Sequence, residues 1–201
     1  MATLSFDIVT KRSPDEEESA LSPVTGTLAA VGLFDRERRS GAVYSVTNDE
    51  AIVDTDATPG DFIIKYRTEE DVLKEFWEGA RSYDTFVTFN GRRFDAPYLL
   101  VRSAMLGVTP SVDLMEHRYL KYQKLTRHVD LLDQLTFYGA VGKYHSFQDF
   151  CTGFSIAEEV DINLGQDEVL EAAQNARRTA ELYEIWLKRL APLWFVNAIE
   201  I

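Results

Sequence analysis

Strand-like runs fill the opening of this chain before any helical pattern begins, and that order constrains the fold more than any other feature. ATLSFDIV (2–9), TGTLAAVGLFD (25–35) and GAVYSVT (41–47) are short, apolar, and rich in β-branched or aromatic residues. Their length and flanking turn residues read as strands rather than buried helix. The charged stretch 11–23, bracketed by Pro14 and Pro23, reads as a loop. RERRSG (36–41) reads as a turn, so 28–47 forms a hairpin. Residues 48–61 are acidic and hold Pro59–Gly60, which predicts a second loop before the short strand FIIKYR (62–67).

The period changes at residue 68. Val72, Leu73, Phe76 and Trp77 fall at helical spacing in 68–82, and Thr68 with Asp71 fits a capping box in which Asp replaces the commoner Glu or Gln. TFVTFN (85–90) reads as a strand, GRRFD (91–95) as a turn, and APYLLVRSAMLG (96–107) as a helix. Pro97 falls in that helix's first turn, where its missing N–H costs nothing. HVDLLDQLTF (128–137) reads as a strand leading into a helix, and 146–154 as a short helix. Residues 167–190 form a long amphipathic helix with Leu170, Ala173, Ala180, Tyr183, Trp186 and Leu187 inward. Strands first, then alternating helices and strands, predict a single α/β domain over 1–201 with a mixed sheet.

Charge and cysteine usage remove whole classes of function. With 33 acids against 21 Lys+Arg, the net charge of −12 excludes a globally basic nucleic-acid wrapper and a polybasic membrane binder. The single cysteine, Cys151, excludes a disulfide framework and a Cys-rich zinc site. No apolar run approaches the ~18–20 residues of a membrane helix, and the N-terminus lacks a signal-peptide pattern. The expectation is a soluble, cytoplasmic protein with no membrane partner. One segment departs from the acidic background. HRYLKYQKLTRH (117–128) carries Arg118, Lys121, Lys124 and Arg127, two tyrosines, two histidines and no acid. Over 91–128 the balance is +4, which leaves −16 for the remainder. Cations interleaved with aromatics suit phosphate contact and base stacking. A solvated helix face with snorkelling lysines is the alternative.

Two carboxylates stand out. Asp7 interrupts an apolar strand, where a carboxylate is costly to bury without a partner or a metal. It is a candidate metal ligand, or else a strand-end residue bonded to a loop. Asp95 follows the Asn90–Gly91 turn at the mouth of a helix. It reads either as a helix N-cap or as a functional group at a strand's carboxyl end beside Asp7.

These segments together carry a family resemblance. LSFDIVT resembles the first motif of the DEDD (DnaQ-like) 3′–5′ exonucleases, usually FDIET. FNGRRFDAPYL resembles their second motif as found in the proofreading domain of family B DNA polymerases and in stand-alone polymerase-B-like exonucleases. HVDLLDQL resembles the strand and helix that follow, and QNARRTAELYEIWLKRL the third-motif helix, usually close to YNARDVxATxELY. The match runs from residue 4 to about 190.

The resemblance implies a ribonuclease-H-like mixed sheet flanked by helices, an antiparallel hairpin followed by βα units. It also implies a 3′–5′ exonuclease acting on nucleic acid, single-stranded or at 3′ ends, by two-metal phosphodiester hydrolysis with Mg or Mn held by four carboxylates. Asp7 and Asp95 match the first- and second-motif aspartates and become the metal and catalytic candidates. Two departures stand beside them. Val9 occupies the place of the first-motif glutamate, and counting back four from Thr179 puts Asn175 where the last aspartate belongs. Asn175 is therefore the third catalytic candidate, with Asp130 and Glu171 as possible compensating carboxylates. Asn90, Arg93, Phe94 and Tyr98 are expected, with Arg118, Lys121, Lys124 and Arg127, to contact nucleic acid. The departures predict impaired activity. Two other uses of the same fold are a catalytically silent single-strand-binding module and a protein-interaction module.

Overall fold

The computed structural model describes residues 2–12, 19–53, 56–57, 61–141, 145–157 and 167–194. Its elements are β1 (Thr3–Arg12), β2 (Gly26–Asp35), β3 (Ser40–Val46), β4 (Asp56–Ala57), β5 (Phe62–Arg67), α1 (Glu69–Ala80), β6 (Thr85–Thr88), α2 (Asp95–Met105), β7 (Arg127–Asp130), α3 (Leu131–Leu135), α4 (Phe147–Gly153), α5 (Asp167–Arg189) and α6 (Ala191–Trp194). The seven strands form one mixed sheet in the order β4-β5-β3-β2-β1-β6-β7. β1, β2 and β3 pair antiparallel, whereas β1–β6 and β6–β7 pair parallel across α1 and α2.

The period of two along β1 sorts its side chains between two cores. Leu4, Phe6 and Ile8 face Val72, Leu73, Phe76 and Trp77 of α1 and Leu99 of α2. Val9 packs on the opposite side, in the core that α5 makes with β2, β3 and β5. Ser5 lies on that side too, and its Oγ donates to the Ala176 carbonyl at 2.7 Å. The α5 side of this core is mostly alanine: Ala172, Ala173, Ala176 and Ala180. Small residues let the helix backbone come close to the sheet, and the approach is closest at Gly32. A Cβ there would stand 2.0 Å from the Ala172 carbonyl oxygen. The C-terminal half of α5 covers β6 and β7 through Leu182, Tyr183 and Trp186.

Thr68 is the helix N-cap as read, but the box is closed through side chains: its Oγ1 accepts the Asp71 N–H at 3.3 Å and donates to Asp71 Oδ2 at 2.6 Å. Several boundaries differ from the sequence reading. β1 runs on to Arg12, beyond a bulge at Val9/Thr10, because Thr10–Arg12 find partners in Gly26–Leu28. Of the residues read as loop, 13–18 with Pro14 lie outside the described residues, as do Pro59 and Gly60, while 19–25 run in turns up to β2. The segment 48–61 contributes the two-residue strand β4 against β5. The segment 117–128 is not a helix face. It makes one 3₁₀ turn at Leu120–Tyr122 and then enters β7. The Glu116 carboxylate accepts the Lys124 and Leu125 N–H groups at 2.9 and 3.2 Å, so these amides are satisfied without helical partners. Among the described residues, no helix is long and apolar enough to cross a membrane.

One ion pair ties the layers. Arg102 of α2 meets Glu69 at the start of α1 through Nε–Oε1 (2.8 Å) and Nη2–Oε2 (2.6 Å), and Glu69 Oε1 also accepts the Leu28 N–H of β2. Both side chains are nearly buried, at 9% and 12% exposure. Arg102→Met strands the glutamate charge, so urea unfolding should show a loss of ~2 kcal/mol, short of the ~3–5 of a fully buried broken pair. Adding Glu69→Gln should recover part of it. A single variant as stable as the parent would show the pair to be energetically idle.

Candidate functional site

The site forms where β1 outruns its neighbour. The parallel ladder to β6 reaches only Ser5–Val87. Beyond it the Ile8 N–H donates to Asp95 Oδ1 at 3.0 Å. Asp95 is thus not the helix N-cap; that position is Phe94, which makes no side-chain cap bond. The aspartate is the first residue of α2, 4% exposed, and turns its carboxylate back onto β1.

The turn before α2 delivers it there. Asn90 adopts φ 62°, a left-handed conformation that asparagine tolerates better than most residues. At Gly91 a Cβ would meet Thr88 Oγ1 at 2.4 Å, so only glycine fits. Asp130, at the end of β7, accepts the N–H groups of Asn90 (2.8 Å), Arg92 (3.0 Å) and Leu132 (3.0 Å). Its oxygens are therefore engaged in holding the turn and capping α3.

Asp7 projects on the α5 side of β1, half-buried, opposite Gly32. Asn175 Nδ2 donates to Asp7 Oδ2 at 3.1 Å. The close approach at Gly32 sets this contact, because Asn175 lies about one turn beyond Ala172 on the same helix. Glu171, a turn earlier and exposed, is near enough for its charge to act on Asp7.

The electrostatics are those of crowded carboxylates. Burial pushes the Asp7 carboxyl well above its ordinary value; the Asp95 and Glu171 charges add to this, and the Asn175 amide opposes it. Burial pushes Asp95 up to about 7, with the Asp130 charge adding and the N–H bonds from Ile8 and its own amide opposing. A carboxylate pair raised in this way lacks a positive partner, and a hard cation would supply one. The donor set limits what can be held. Val9 lies in apolar contact under α5, and Asn175 brings a neutral amide. Among the described residues no group of three or more His, Cys, Asp or Glu is placed to hold a metal. Two carboxylates and an amide do not fit a pair of divalent ions.

The residues expected at nucleic acid separate into four groups. Tyr98 is 1% exposed, a core residue whose hydroxyl donates to the Ala20 carbonyl at 3.2 Å, so it is removed from any binding surface. Arg118 is exposed but paired with Asp133, Nε–Oδ2 2.8 Å. Arg93, Lys121, Lys124 and Arg127 are exposed, and none of them has a carboxylate in ion-pair range among the described residues. Phe94 is half-buried against the Tyr98 ring, and Asn90 Oδ1 is a buried acceptor with no partner among the described residues. Sequence reasoning missed Tyr138, whose ring joins the 117–122 segment, and Gly32, which sets the helix distance. No local pattern marks either one.

A protein-family model described as a predicted 3′–5′ exonuclease related to the exonuclease domain of PolB matches residues 52–180. No curated protein matches the chain. Among solved structures, the family B DNA polymerase from the hyperthermophilic archaeon Pyrobaculum calidifontis matches over 92% of this chain, with a TM-score of 0.62 and 18% identity. The match covers 24% of the polymerase chain, so this chain spans about a quarter of that protein's length. At this identity the likeness is one of fold, the ribonuclease-H-like α/β sheet expected from the sequence.

Proposed function

Because the chain belongs to the family of predicted 3′–5′ exonucleases related to the exonuclease domain of PolB, we propose that it acts at the 3′ end of a single nucleic-acid strand and hydrolyses the terminal phosphodiester only slowly. One observation carries this reading: Asp7 and Asp95 converge, and the third position beside them holds the Asn175 amide. A divalent cation at the pair would supply Lewis-acid polarisation of a phosphodiester oxygen. The chain's own contribution is orientation. Ile8 fixes the Asp95 carboxylate through Oδ1, and Asn175 fixes that of Asp7 through Oδ2. The neutral Asn175 amide supplies none of the negative charge that a second cation would need.

The same amide, with Val9, favours a second reading, a strand-binding module without hydrolysis. Position 9 lies two residues from Asp7 and on the same side of β1, so a glutamate there would face the site. The test is release of a labelled 3′ nucleotide in Mn²⁺. Val9→Glu/Asn175→Asp should accelerate release by roughly 100-fold or more, the scale of ~3 kcal/mol of added transition-state stabilisation, and Asp7→Ala should abolish it. A parent trace identical to Asp7→Ala would leave the strand-binding reading. A double variant that also releases nothing would overturn action at 3′ ends.

A further inference from the structure

Past the carboxyl end of β7 the chain builds a cluster of rings at the cost of backbone strain. Phe137, Tyr138 and Gly139 take φ of 54°, 57° and 92° in succession. A left-handed conformation costs a non-glycine residue ~1–2 kcal/mol, and such strain persists where the surroundings and a function hold it. Here it presents the Tyr138 ring to Tyr119, with centroids 4.7 Å apart. Gln134 Nε2 donates to the Tyr138 hydroxyl at 2.8 Å, and the Arg118 guanidinium lies 5.8 Å from the ring centre, held in place by Asp133. Tyr122 meets Tyr119 edge-on at 6.4 Å, and the Lys121 ammonium sits 4.7 Å over the Tyr122 ring. Tyr119 and Tyr122 are 46% and 50% exposed.

We propose that Tyr119, Tyr122 and Tyr138 form a stacking platform for the unpaired bases of a nucleic-acid strand, with Lys121 at its phosphates. This rests on the nucleic-acid reading above and deepens it by assigning the side chains that would hold the strand's bases. Three observations choose this occupant. Residues 117–127 contain no acid on a chain of net charge −12, which selects a polyanion. Two tyrosine rings, Tyr119 and Tyr122, are exposed side by side, with Leu125 as an exposed aliphatic neighbour, and every unpaired base offers a face to stack on. The platform also adjoins the carboxylate site: Arg92, whose N–H is held by Asp130, lies within electrostatic reach of both Asp133 and Arg118. One strand can therefore lie on the rings and bring its end to Asp7 and Asp95.

The test is fluorescence anisotropy of the full chain, at low salt and in chelator, with an oligothymidylate and an abasic strand of equal length. Tyr119→Ala should weaken oligothymidylate binding by roughly 5- to 100-fold, the scale of one lost base stack, and leave abasic binding unchanged. Tyr119→Trp should restore it. The Tyr119→Ala variant should stay folded, melting within a few degrees of the parent, because the ring lies at the surface and outside the three buried cores. Three outcomes overturn the platform. They are unchanged affinity in Tyr119→Ala, equal parental affinity for the abasic strand, and no binding of either strand, which would assign the patch to a protein partner. Nucleotide release in Mn²⁺ separates the two proposals. Release with unchanged Tyr119→Ala binding removes the platform alone, and weakened binding without release removes hydrolysis alone.

Discussion

Asp95→Asn raises the stability of the metal-free protein above about pH 7 by roughly 2–4 kcal/mol, and the gain disappears as the pH falls toward 4. Burial pushes the folded-state pKa of Asp95 up to about 7, from an ordinary carboxylate value of 3.8. Between those values the folded protein binds a proton that the unfolded chain does not, so stability falls as the pH rises through the window and levels off above it. The amide removes that titration, and its Oδ1 can still accept the Ile8 N–H. His128 acts in the opposite sense. Its Nδ1 donates to the Leu114 carbonyl at 2.8 Å, Nε2 accepts from Thr88 Oγ1 at 2.9 Å, and burial pushes its pKa down to about 4. Below its unfolded value it therefore destabilises both parent and variant, and the difference between them reports Asp95 together with the relief of its neighbour Asp7. Urea unfolding of both proteins near pH 8, 6 and 4.5 measures the effect. A variant equal to or weaker than its parent near pH 8 would show that the pair carries no electrostatic cost. A gain of this size would mark residues kept for chemistry at the expense of stability.

Gly32→Val should be the most damaging single substitution, about 4 kcal/mol or more, or roughly 10 °C in Tm. A Cβ at position 32 would stand 2.0 Å from the oxygen and 2.4 Å from the carbon of the Ala172 carbonyl. That neighbour is helix backbone, so no rotamer change relieves the clash. Ordinary contact requires α5 to lift by more than an ångström, which would open the alanine interface and the Ser5–Ala176 bond. The same movement would draw Asn175 away from Asp7. Thermal unfolding of Gly32→Ala and Gly32→Val gives the test. A melting temperature within a degree or two of the parent for both would mean that α5 is free to ride higher, and the register argument at Asp7 would fail with it.

How much was legible in the sequence depends on the range of the interaction. The long helix, the Thr68 cap and the strand-first order rest on neighbours in the chain, and the structure reproduces them. The end of β1 was misplaced because Thr10–Arg12 are ordered by a partner strand rather than by their own residues. The segment 117–128 lost its helical alternative because the Glu116 carboxylate, just outside it, accepts its amides. Tyr98 inflated the apparent binding surface, because it is a core ring, and Arg102 inflated the +4 counted over 91–128, because it is bound to Glu69.

From the sequence alone came the fold class, the family likeness, and the absence of a carboxylate at position 9. The order of apolar periods and the spacing of turn residues are local properties, and they suffice for that. The sequence offered Asn175 and Glu171 on the last helix, and which of them meets Asp7 was decided by the tertiary structure. A helix can slide or rotate over a sheet without altering its own pattern, and here a glycine in β2 set its height and Ser5 its register. That placement brought the Asn175 amide to Asp7 and left the two aspartates as a raised, crowded pair.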